Sequence, residues 1–127
     1  MNLRLGRAGV QRMLVVAIAV DLLYWTLWFS SRSTVASDTR AAYVEFENAF
    51  PLADAWLGLA CLAALVALVR RSPTALLWLV AAGGAGLYLF GMDVLYDLQH
   101  GIYGKGAGGI IEAVINLVTL TFSVVAM

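Results

Sequence analysis

The chain has 127 residues, 62% of them apolar and 13% charged, with a mean hydropathy of +0.87, whereas soluble domains run at about 45–50% apolar. Eight basic residues balance eight acidic ones, so there is no net field to attract nucleic acid and no basic cluster interleaved with aromatics to follow a phosphate backbone. Composition thus excludes an ordinary soluble domain and a nucleic-acid module, and a single cysteine, Cys61, excludes a disulfide or dithiol mechanism within one chain.

Four apolar runs match the roughly 20 residues that a helix needs to cross the hydrocarbon core. They are Met13 to Ser30, Phe50 to Val69, Thr74 to about Tyr96, and Gly109 to Met127. They predict an all-α integral membrane four-helix bundle of up-down-up-down topology, forming a single domain over residues 1–127. The first run follows Arg4, Arg7 and Arg12, as the core of a signal peptide would, and "TVAS" beyond it resembles a small-residue cleavage site. Its apolar core is longer than the usual ~7–15 residues and holds Asp21, Tyr24, Trp25 and Trp28, so it reads as a transmembrane helix.

The connection "SRSTVASDTRAAYVEFENAF" follows. Asp38 can cap a short segment in which Tyr43, Phe46 and Phe50 recur at helical spacing. This predicts a short interfacial helix in the first outer loop, placed to lid whatever opens beneath it. In the second run, Cys61 sits within "LGLACLAALVALV" and reads as a small packed residue. "RRSP", Arg70 to Pro73, is a hairpin in which Ser72 can cap the third helix while Pro73 occupies its first turn.

The third run contains "AAGGAG", Ala81 to Gly86, whose small residues let two membrane helices approach closely. This seam lies within the bundle or between copies, and it offers a homo-oligomer contact through Gly83, Gly84 and Gly86. The last connection, "HGIYGKGAGG", has five glycines in ten residues and reads as a flexible outer loop. Its lysine is misplaced for a phosphate-binding loop and no strand precedes it. Arg4, Arg7, Arg12, Arg70 and Arg71 fall on one side against Arg32, Arg40 and Lys105 on the other. That bias predicts the plasma (inner) membrane with both termini cytoplasmic.

An ionisable residue at the centre of a membrane helix costs about 2.5–3.5 kcal/mol, so each acid in these runs needs a partner, water or a proton. Asp54 and Glu112 lie in the first turns of the second and fourth helices, where the positive end of the helix dipole favours a carboxylate. Asp93 and Asp97 lie near the opposite end of the third helix, where the dipole disfavours one. There His100 is favoured if protonated, and Lys105 is close enough in sequence to pair with one acid. Asp21 is remote from either helix end and is backed by Tyr24, Trp25 and Trp28 on its own face. Asn116, four residues after Glu112, continues that polar line inward.

In antiparallel helices these positions gather toward the outer side, which predicts an outward-facing acidic and aromatic cavity. The expected ligand-binding residues are Asp21, Tyr24, Trp28, Asp54, Asp93, Tyr96, Asp97, His100, Glu112 and Asn116. Carboxylates supply charge and a titratable proton, and the aromatic rings supply faces for an organic cation. The cavity is therefore expected to bind or transport a cation, a proton or a small amphipathic molecule. One alternative is an accessory or scaffold subunit that binds other membrane proteins through its glycine-rich face. A second is a membrane enzyme of isomerase type, using paired acids on a lipid-soluble substrate. Asp93, Asp97 and His100 are minor candidates as metal ligands, without a dedicated spacing motif, and the lone histidine excludes bis-histidine haem. The sequence leaves the identity of any cofactor open.

Overall fold

The structure, a computed structural model, describes residues 6–127; Arg4, which counted toward the orientation, lies outside them. The described residues form helices and short turns, with no strand. In chain order the helices are α1 (Arg7–Ser30), α2 (Ala41–Glu47), α3 (Pro51–Val69), α4 (Ala75–His100) and α5 (Ala107–Ala126). Short 3-10 turns at Arg32–Thr34 and Ile102–Gly104 lie in the two longer connections. Four helical stretches are long and apolar enough to cross a membrane, the second of them being α2 and α3 taken together. The chain is thus built as a multi-pass membrane protein.

The apolar runs set these helices, but α1 starts six residues before its run because Gln11, Arg12 and their neighbours are good helix formers that composition alone places outside the lipid. α2 and α3 are separated only by a turn at residues 48–50. Pro51 then opens α3 at a position where its missing N–H costs nothing, with Asp54 in the first turn. α3 ends in a paired closure, Ser72 N–H to the Ala67 carbonyl at 2.8 Å and Arg71 N–H to that of Leu68 at 3.2 Å. Arg71 there takes a left-handed φ of 54°. Ser72 Oγ accepts the Thr74 N–H, and α4 begins at Ala75, so Pro73 lies in the turn just ahead of the helix.

α3 packs along both α1 and α4, and α4 also packs along α5. Small side chains allow this: Ala60, Cys61, Ala64 and Ala82 are buried with Leu14 where α1, α3 and α4 meet. The glycine seam works inside the chain. A methyl group on Gly83 would stand 2.8 Å from the Ser123 carbonyl oxygen of α5, and one on Gly86 would strike the Ser123 hydroxyl. Gly84 faces open space. Of the three seam glycines offered either to the bundle or to a second copy, two therefore pack against α5.

Candidate functional site

The helices line an elongated cavity of about 430 Å³. α1 contributes a stripe at helical spacing, Met13, Val16, Ala17, Val20, Asp21 and Tyr24. α5 contributes another, Glu112, Ile115, Asn116, Thr119 and Phe122. Asp54, Leu57, Gly58 and Cys61 come from α3, and Phe90 and Asp93 from α4. Gly58 lies beside Asp21, and a methyl group there would sit 2.9 Å from the Asp21 carboxylate.

The lining is polarised along its length. Glu47 at the end of α2, Asp54 and Glu112 near the starts of α3 and α5, and Asp93 two turns before the end of α4 all lie at one end of the bundle. One oxygen each of Glu47, Asp93 and Glu112 lies within 4.8 Å of the others. Arg12 is the single basic residue on the described wall, and it stands at the far end of the α1 stripe, about 18 Å from Tyr24 along the helix axis. Between the two ends the wall is mainly aliphatic and aromatic, with Asp21, Cys61, Asn116 and Thr119 as its polar members.

The acid end is roofed. Tyr24 O–H donates to Glu47 Oε2 at 3.1 Å, and Ser37 Oγ, in the connection before α2, donates to Glu112 Oε2. Tyr43 Oη accepts the Ser37 N–H at 3.1 Å and so fixes that segment. Glu47 and Glu112 are only 5% and 2% exposed. The roof is pinned from outside by Asp38, which accepts Lys105 Nζ at 2.8 Å and the Arg40 guanidinium. Arg40 reaches in turn to the His100 carbonyl at 2.9 Å. Partial burial opposes the charge on Asp38, but Lys105, Arg40 and the N–H groups of Thr39 and Arg40 outweigh it and hold the carboxyl well below the usual range. Lys105 therefore does not pair with Asp93 or Asp97.

The expected site residues divide into two sets. Asp21, Tyr24, Asp54, Asp93, Glu112 and Asn116 line the cavity. Trp28, Tyr96, Asp97 and His100 do not, and each has another task. Trp28 packs with Tyr43 and Ile102 and donates to Asn48 Oδ1 at 3.0 Å. Tyr96 is sandwiched between Phe46 and His100, with ring centroids 3.9 and 4.0 Å away. Asp97 is fully buried behind the wall, where Asn116 Nδ2 bridges its Oδ2 and the Tyr103 oxygen at 2.9 Å each. Its Oδ1 has no partner among the described residues. Burial, together with the nearby Asp97 charge, raises the Tyr103 hydroxyl to about 12, so it stays protonated.

The candidate metal set Asp93, Asp97 and His100 is corrected accordingly, because His100 is exposed on the Tyr96 ring and Asp97 turns to Asn116. The carboxyl groups that do converge are Glu47, Asp93 and Glu112, an all-oxygen set suited to a hard cation. Glu47 was absent from the residues expected at the site. The signal for it was its position four residues after Tyr43 and three before Phe50, on the face that the aromatic spacing already marked. Trp25, noted in sequence only as an aromatic neighbour of Asp21, donates its indole N–H to Asp54 Oδ2 at 2.9 Å.

No known protein family, curated protein or solved structure matches this chain. Its chemistry has to be read from the cavity itself. Two unit negative charges 4.8 Å apart repel by about 3.5 kcal/mol at an effective dielectric constant near 20. Three such groups with no basic side chain at their end of the wall must share protons or hold a cation.

Proposed function

We propose that this chain is an inner-membrane protein whose acid-headed cavity binds a cation or a small cationic molecule. In this reading the bundle runs up-down-up-down with both ends in the cytoplasm, α2 lies on the outer membrane surface, and the acid end of the cavity faces outward. One observation carries it: the convergence of Glu47, Asp93 and Glu112, with Asp21 and Asp54 on the same wall and Arg12 at the opposite end. An acid in lipid is costly, and the cost is offset when the group meets a proton, water or a positive charge. Trp25 and Tyr24 add ring edges and faces beside the acids.

The test is calorimetric titration of the purified protein, reconstituted in phosphatidylcholine nanodiscs, with butylammonium and with calcium. The native chain should bind at least one of them saturably and release protons in doing so, since carboxyl groups that share protons give them up to a cation. Asp93→Asn combined with Glu112→Gln should abolish that binding while leaving the helical circular dichroism intact. Undiminished binding in the double variant would sink the reading.

A further inference from the structure

The cavity's open side is not its outer end. The roof of Ser37, Tyr43, Glu47 and Tyr24 closes the acids off from the aqueous face. The wall is incomplete between α1 and α5, which barely touch although each packs closely on another helix. Three lining residues along that gap, Val16, Val20 and Val118, are 60%, 54% and 57% exposed. In a helix built to cross a bilayer, what meets an exposed valine is lipid, so the cavity communicates sideways with the hydrocarbon core.

We propose that the ligand is a single-chain cationic amphiphile that passes from the bilayer through the gap between α1 and α5, its ammonium-type head against Glu47, Asp93 and Glu112 and its alkyl tail along the valine-lined slot. This rests on the cation-binding reading above and adds the ligand's class and its route. The wall has a matching polarity: the converging acids at one end, Asp21 one turn further along α1, and then a mainly aliphatic and aromatic stretch from Val20 to Met13, with Thr119 of α5 as a polar member and Arg12 beyond it. A small hydrophilic cation would leave that stretch unfilled and would have to pass the roof. A lipid whose head has no cationic group would put no positive charge against the converging carboxyl groups, which an ammonium-type head matches by charge. Arg12, exposed at the far end, is a full tail-length away from the head.

The experiment compares dodecylammonium with butylammonium in phosphatidylcholine nanodiscs, with empty discs subtracted, and maps contacts with a dodecylammonium analogue bearing a diazirine near the tail end. Dodecylammonium should bind at a total concentration at least tenfold below butylammonium. Saturable labelling should fall on Val16, Val20 or Val118 and be lost in the Asp93→Asn, Glu112→Gln double variant. Filling the gap with Val118→Trp, or with Val16→Trp where the first expresses poorly, should weaken dodecylammonium at least tenfold more than it weakens butylammonium. Equal binding of the two amines, indifferent to either tryptophan, would overturn the lateral route and the amphiphile while leaving the cation site standing. Failure of both amines and of calcium to bind would remove the site and this inference together.

Discussion

Asp38 shows how much a single carboxylate outside the hydrocarbon can hold in place. It joins the segment before α2 to Lys105 in the loop before α5, and that segment carries the Ser37 hydroxyl that closes on Glu112. Because its folded-state pKa is depressed, its contribution to stability is fully present above the ordinary carboxylate value of about 3.9 and is lost as pH falls through the folded value. Asp38→Asn should therefore lower the thermal midpoint at neutral pH, with the gap to the native chain narrowing between about pH 4 and pH 2. A gap of the same size at pH 3 and pH 7 would detach Asp38 from the roof. At this scale the sequence was only partly legible. An acid far from any helix end announces itself, as Asp21 did, but Glu47 looked like one polar residue in a connector, and only the fold turns it over the cavity.

Between elements, the decisive contacts are backbone approaches rather than side-chain chemistry. Gly83 lies against the Ser123 carbonyl and Gly84 against nothing, so neighbouring glycines in one helix have opposite sensitivities. Gly83→Ala should destabilise the bundle by about 1–3 kcal/mol through overpacking. Gly84→Ala should leave stability unchanged or raise it by up to about 1 kcal/mol through helix propensity. Denaturation in mixed detergent micelles would read the difference, and equal responses would mean that the seam does not face α5. The helices themselves were legible because apolar length is a strong signal, and their bounds coincide with those of the apolar runs at Ser30 and Val69 and differ elsewhere by one to six residues. What spacing could not supply was the identity of the neighbour. Asp93, Asp97 and His100 fall at steps of four and three along α4, yet Asp93 meets the cavity, Asp97 meets Asn116 and His100 meets the Tyr96 ring. A helix face is wide enough to touch several partners, and the packing of α2 and α5 decides which.

For the whole molecule, the proposed orientation has the roof outside and the hairpin at Arg70–Pro73 inside. In a Cys61→Ala background, an impermeant maleimide applied to intact cells should label Ser33→Cys, which lies in an exposed turn, and should spare Thr74→Cys until the membrane is opened. The reverse pattern would invert the topology and put the acids on the cytoplasmic side. Ser37 itself is a poor reporter, being only 8% exposed and bonded to Glu112.

The bond between Ser37 and Glu112 joins positions 75 residues apart. The serine leaves the ribosome well before the glutamate. Asp21, Asp54 and Asp93 all have to enter the bilayer before α5 exists to shelter them, so the insertion machinery must tolerate three acids without their final neighbours. α5, made after the other four helices, completes the chamber, and a chain truncated before it would present those carboxyl groups to quality-control proteases.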